Sequence, residues 1–217
     1  MKKNSNKTFD SSCKRCPRLA KFLADVRKEK PDYHARPVPS FGDESAQLVV
    51  VGLAPGMHGA NRTGRPFTGD HAGILLYETL FQFGFANQPG GDDPNDGLRL
   101  KNCRIINAVK CLPPQNKPTV DEIAECNDFL RNEILTRDRF TVFVALGMIA
   151  HGAVLTALGL KKSAAKFGHG AVHTIDPLKT LIDSYHCSRY NTQTKRLTPD
   201  MFQQVFATAA EMIKTNA

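Results

Sequence analysis

Four cysteines and one polar loop hold most of the reactive side chains in this sequence. Cys13 and Cys16 are separated by two residues, and Cys111 and Cys126 by fourteen. Two intervening residues let both sulfurs of a pair reach one metal centre. The N-terminus has lysines but no apolar segment after them, so it reads as no secretory signal. In that context a second pair favours metal or cluster ligation over disulfides, and a four-thiolate set suits zinc as well as iron–sulfur. The plainer reading is four buried, inert thiols. Cys103 lies inside an expected strand and reads as core. The loop, Gly52 to Asp70, carries His58, Asn61, Arg62, Thr63, Arg65 and Asp70 among five glycines and two prolines, a composition that rules out regular structure. It contains neither G-x-G-x-x-G nor G-x-x-x-x-G-K-[ST], so it is not a phosphate cradle of the dinucleotide or nucleoside-triphosphate kind.

These residues need a frame. Leu48 to Val51 is an apolar, mostly β-branched run, as expected of a strand buried on both faces. Further strands are expected at Cys103–Val109, Phe140–Leu146 and Lys179–Tyr185, with a short edge strand at Ala171–Ile175. Helices are expected at Ala72–Phe83, at Met148–Leu158, and from Thr198-Pro199 to Ile213. Thr119-Val120-Asp121-Glu122 reads as a capping box opening a helix to Leu135. Strands alternating with helices predict a three-layer α/β/α sandwich around a central, mostly parallel four-stranded sheet. Residues 1–217 form one domain, with 1–30 as an N-terminal extension. That extension holds an amphipathic helix, Arg18 to Lys28, with Leu19, Phe22, Leu23 and Val26 on one face, and a proline-rich link follows from Pro31 to Pro39. The loops at 52–70, 107–111 and 186–191 leave the C-terminal ends of parallel strands and so meet at one sheet edge, where open α/β sheets place their sites.

Hydrophobic residues at 41% and charged residues at 23% describe a globular chain of 217 residues with one sizeable core. A net charge of +8 and a pI near 9.3 fit a polyanionic partner, although many ordinary cytosolic proteins are equally basic. No apolar run approaches the roughly 20 residues of a membrane span. The expectation is a cytoplasmic monomer with no membrane partner.

The string GLAPGMHGANRTGRPFTGD resembles motif one of the family 5 (type b) uracil-DNA glycosylases. NAVKCLPP, with a cysteine fourteen residues on, is similar to the cluster-binding part of the family 4 and 5 enzymes. The resemblance implies hydrolytic removal of uracil from DNA, with a range that extends to other deaminated bases such as hypoxanthine and xanthine. It also implies a [4Fe–4S] cluster on Cys13, Cys16, Cys111 and Cys126. That cluster is read as structural, because the extension has too little apolar surface to dock firmly by itself.

The resemblance assigns roles to single residues. A base taken out of the stack is held by its Watson–Crick edge and its faces. Asn107 matches the strand-end Asn whose amide pairs with O4 and N3–H of uracil, although such an Asn also serves backbone groups. Phe67 matches the stacking aromatic, although core packing is its ordinary role. Gly52 and Ala54 complete the base pocket. His186 can donate to O2 of the departing base, and Asp70 corresponds to the catalytic Asp, although Gly-Asp before a helix is also a natural N-cap. Leu53 and Ala54 are apolar, so the aqueous-site Asp of the family 1 enzymes is missing after Gly52. Arg62, Arg65, Ser188, Arg189 and Tyr190 are assigned to DNA, the arginines through phosphates and Tyr190 as the side chain that fills the hole left by the base. The second motif reads His186-Cys187-Ser188 where the superfamily has His-Pro-Ser. Loss of the proline puts the rigidity of that loop in doubt, and it supports the rival reading, a metal-stapled module that binds damaged DNA without cleaving it.

Overall fold

Four apolar residues in a row cannot all face one layer. In the strand Leu48–Gly52 (β2), Leu48 and Val50 pack into one core while Val49 and Val51 pack into another on the opposite face. A computed structural model of the chain describes residues 8–215. Cys103–Asn107 (β3), Val142–Leu146 (β4) and Lys179–Ser184 (β6) lie parallel with β2 in the order β3-β2-β4-β6. The same two-sided burial is seen in β4, where Val142, Val144 and Leu146 face one core and Phe143 and Ala145 the other. Helices His71–Gln82 (α3) and Pro199–Thr215 (α7) cover the first face, and Val120–Leu135 (α4) and Met148–Ala157 (α5) the second.

The sheet has six strands: the four expected central ones, the edge strand expected at Ala171–Ile175, and one more. Phe41–Gly42 (β1) and Val172–Asp176 (β5) extend it as antiparallel edges beside β3 and β6. A two-residue strand such as β1 has no periodicity to read. The expected Cys103–Val109 strand ends at Asn107, but the Ala108 and Val109 N–H groups still donate to Gly52 and Leu53 carbonyls at 2.9 Å. The motif-one loop and the Asn107 turn therefore leave the sheet side by side. That loop is not wholly irregular. Ala60–Thr63 (α2) forms one helical turn, stopped by Gly64 in the left-handed region. A second short helix, Arg189–Gln193 (α6), follows the His186 loop.

The extension docks more firmly than its sequence suggested. Its helix, Pro17–Glu29 (α1), buries Leu19, Leu23 and Val26 against Val109, Leu112 and Phe129. Arg18 forms a two-pronged pair with Glu122 at 2.7 and 2.8 Å, and Arg15 pairs with Glu125 and Asp128. The expected capping box is present. Thr119 Oγ1 accepts from the Glu122 N–H, while Glu122 accepts from the Thr119 N–H at 2.8 Å.

Candidate functional site

The three loops do converge. Residues from 53–72, Asn107 and 186–189 line one cleft of about 460 Å³ at the C-terminal edge of the parallel strands. Asn107, at the last position of β3, is 3% exposed, and its Oδ1 has no hydrogen-bond partner. A buried amide oxygen left unpaired costs on the order of 1–3 kcal/mol unless something enters to satisfy it. Gly52 makes room for it, since a Cβ there would stand 2.6 Å from Asn107 Oδ1 and 2.9 Å from the Phe67 ring. The backbone reading of Asn107 is set aside, because its side chain serves no backbone group.

Phe67 is buried and lies at φ +59°, a conformation that L side chains rarely adopt. Its ring lies nearly parallel to that of His186, with centroids 6.0 Å apart. Burial pushes the His186 imidazole down to about 4, so it is neutral at pH 7. Asp70 precedes α3 but makes no capping bond to it. Instead its Oδ2 accepts from the Ala60 N–H of α2 at 3.3 Å. Burial raises its pKa, only partly countered by that bond and by Arg62 and His58 nearby. The carboxylate is thus held half-desolvated at the cleft wall, and although Asp70 sits at the N-cap of α3, its side chain does not cap it.

Cys187 does not loosen its loop. It is fully buried, and its Sγ donates to the Ala72 carbonyl at 3.3 Å. Asn191 Nδ2 donates to the His186 carbonyl at 2.8 Å, and Ser188 caps α6. Ala54, Ser188 and Arg189 line the cleft, and Tyr190 stands out from its rim, 69% exposed. Arg62, within motif one, is exposed, with Nε donating to the His58 carbonyl.

Arg65 is corrected. It is 6% exposed and does not face the cleft. Its guanidinium donates to both Asp96 oxygens at 2.7 and 2.9 Å and to the Asp93 and Pro94 carbonyls. It fastens the 93–96 surface loop to motif one and has no donor to spare for a phosphate. Accordingly, Arg65→Ala is expected to cost about 2–4 kcal/mol of stability and leave the salt dependence of DNA binding unchanged. Arg62→Ala should leave the melting temperature alone and lower the salt slope by about one. Paired melts and salt titrations read both.

Two polar cleft residues, Asn116 and His71, escaped the sequence reading. Asn116 reaches the rim from a turn in which Gln115 and Asn116 both take left-handed backbone, φ 55° and 56°. The Pro-Pro-Gln-Asn-Lys-Pro composition was its only signal. His71 also lines the cleft, and its Nε2 lies 3.2 Å from Thr192 Oγ1, joining the first motif to α6.

On the far side of β3, Cys13, Cys16, Cys111 and Cys126 line one small pocket with Leu19 and Phe129. The Lys110 N–H donates to Cys126 Sγ at 3.2 Å. Burial, and then the neighbouring thiols, push Cys16 up to about 11, and Cys111 and Cys126 are raised by the same causes. Such thiols keep their protons unless a cation sits among them. The residues present fit a metal or cluster: four sulfurs converge on one enclosed space, with a backbone donor already on one of them. Among the described residues, His151, His173 and Asp183 also bring three ligand atoms within 4.8 Å of one another.

A family model described as the uracil DNA glycosylase superfamily matches residues 39–210. The type-5 uracil-DNA glycosylase of Thermus thermophilus is 44% identical over 207 residues, 93% of this chain and 94% of that protein. The type-5 enzyme of Pyrobaculum aerophilum is 42% identical over 203 residues, covering 92% and 88%. The type-4 uracil-DNA glycosylase of Archaeoglobus fulgidus is 32% identical over 166 residues, covering 76% and 69%.

Proposed function

The chain belongs to the uracil DNA glycosylase superfamily, and from that premise we propose that it is a DNA repair enzyme that hydrolyses the N-glycosidic bond of uracil in DNA and leaves an abasic site. The observation that carries this reading is the buried Asn107 amide, unpaired at Oδ1 and placed beside Phe67 and His186. Uracil extruded into the cleft donates its N3–H to Asn107 Oδ1 and accepts at O4 from Nδ2. Phe67 lies against its face. As the bond breaks, charge collects on O2 of the base, and the neutral His186 ring donates its N–H there without first losing a proton to solvent. The sugar gains oxocarbenium character, and the Asp70 carboxylate stabilises it and orients water toward the anomeric carbon. In a half-desolvated wall this charge acts more strongly than in water.

Cys13, Cys16, Cys111 and Cys126 hold a [4Fe–4S] cluster in this reading. A zinc ion with bonds of about 2.3 Å would hold four sulfurs about 3.8 Å apart, whereas a four-iron core spreads its thiolates more widely. The likeness of the NAVKCLPP segment to the family 4 and 5 enzymes, and the one enclosed pocket that the four cysteines share, favour the cluster over a zinc ion. When bound, the group crosslinks the extension to β3 and α4 and neutralises thiolates that burial otherwise disfavours. The extension and the 39–210 region act as one domain, a cytoplasmic monomer whose partner is DNA; among the described residues no helix is long and apolar enough to cross a membrane. Asp70 does not read the base, which supports a range extending to hypoxanthine and xanthine.

Incubation with a uracil-containing duplex followed by alkali tests the function. Strand breaks at the uracil are expected, and binding without breaks would favour the non-catalytic module. Tyr190 refines the test. As the side chain that fills the vacated stack, it is worth about 1–3 kcal/mol. Tyr190→Ala should therefore slow excision from paired uracil about tenfold or more, yet barely affect uracil in single strands, where no hole is left. Equal losses on both would assign Tyr190 to loop packing instead.

A further inference from the structure

Behind the His186 loop lies a buried polar cluster that the reaction as described does not use. Asp183, on β6, is wholly buried. Its Oδ1 lies 2.7 Å from His151 Nδ1, and its Oδ2 lies 2.9 Å from His173 Nε2 and accepts from the Gly168 N–H at 3.2 Å. His151, in the first turn of α5, turns its other nitrogen to the Ala165 carbonyl at 3.1 Å. The Asp183 backbone adds two bonds to the same segment, from the Gly170 N–H and to the Ala171 carbonyl. A tetrahedral zinc would hold nitrogen and oxygen ligands about 3.3 Å apart. These atoms are closer and bond one another directly, so the triad is a hydrogen-bonded clasp. What it clasps is the loop 165–171.

The loop reaches the chemistry through one residue. His169 Nδ1 accepts from the Tyr185 N–H at 3.1 Å, and the two rings stack with centroids 5.0 Å apart and planes 16° from parallel. The Arg196 guanidinium lies 4.6 Å from the Tyr185 ring. Tyr185 is the last residue before His186. There the chain has left β6 and its ladder, and the Tyr185 N–H finds its acceptor in this side chain. We propose that His169 is a positioning residue for His186, setting the direction in which β6 delivers the chain to the cleft, with Asp183, His151 and His173 holding it in place. Burial keeps the His169 pKa low against a smaller opposing pull from the Met201 backbone, which preserves the unprotonated nitrogen that this bond requires. The inference rests on the proposed role of His186 for its kinetic consequence, but not for its geometry.

Two substitutions separate the acceptor from mere bulk. Asn places an oxygen where Nδ1 stands; Leu fills similar space and offers none. In His169→Leu, single-turnover excision with enzyme in excess is expected to fall about 10- to 100-fold, with DNA affinity and melting temperature near wild type. His169→Asn should recover most of that rate. A structural readout accompanies the kinetic one. The His186 ring, followed by NMR titration, should move up from its depressed value in His169→Leu and stay depressed in His169→Asn. His169→Ala serves if the Leu variant folds poorly. A wild-type rate and an unmoved His186 titration in His169→Leu would overturn the proposal, as would equal losses in the Asn and Leu variants. A wild-type protein without excision would sink the functional reading alone, and the His186 titration would still decide the positioning role.

Discussion

Gly59→Ala is expected to slow uracil excision by about 100- to 10,000-fold, the range for removing a positioned acid–base group, in a protein that still folds and still binds DNA. A Cβ at Gly59 would lie 1.8 Å from Asp70 Cγ and about as close to both carboxylate oxygens. Gly56 bounds the other side, where a Cβ would meet Oδ1 at 2.6 Å. The carboxylate cannot shift within its niche and must leave it, forfeiting the Ala60 N–H as well. Asp70→Asn keeps the shape and removes the charge, so the two variants should lose rate alike. A Gly59→Ala protein with wild-type excision would show that the carboxylate is not needed where the structure holds it. The pH profile gives a second check. The proposed reaction uses the ionised form of Asp70, and burial raises its pKa above the ordinary aspartate value of about 3.9. The rate should therefore fall as pH drops toward that raised value, with the acid limb lost in Asp70→Asn. His186 stays neutral until about 4.

The other large effect is on stability. Cys126→Ala and Cys103→Ala make the same chemical change at two buried thiols. Cys103→Ala is a core truncation, expected to cost about 1–2 kcal/mol. At about 2–4 °C per kcal/mol for a chain of this size, that is a drop of a few degrees. In the proposed reading Cys126→Ala also removes one of four cluster ligands. The protein should emerge colourless, with less than one four-iron equivalent per chain and a melting temperature lower by more than about 10 °C. Arg15 and Arg18 would then hold α1 with the apolar stripe alone. Thermal melts and iron analysis of the three proteins read this directly. Equal, small losses in both variants would mean that the four thiols are ordinary core cysteines, and stoichiometric zinc in the wild type would replace the cluster with a simpler ion.

Arg65 shows where reading a sequence in one dimension stops. From its place in the motif-one loop it looked like a second phosphate contact beside Arg62. In the fold it meets Asp96 of a loop about thirty residues away, and no local pattern announces such a pairing. The extension erred in the opposite direction. Leu19, Leu23 and Val26 looked too few to dock a helix, but α4 adds both an apolar surface and acids at matched positions. His169 had no motif at all. Its role rests on a stack and a backbone bond that exist only after the 165–171 loop folds onto Asp183.

What the sequence by itself determined was the order of the main strands and helices, the two-sided burial of the central strands and the residues of the two motif loops. Each of these is written in neighbouring residues: apolar runs, caps, glycine density and cysteine spacing. The tertiary structure alone decided which polar groups stay unpaired. The free Oδ1 of Asn107, the desolvated carboxylate of Asp70 and the left-handed backbone of Phe67 arise from contacts between segments far apart in the chain. The close approach of chain at Gly52 and Gly59 decides whether those groups have room at all. Burial and close approach depend on distance in space, and a sequence records only distance along the chain.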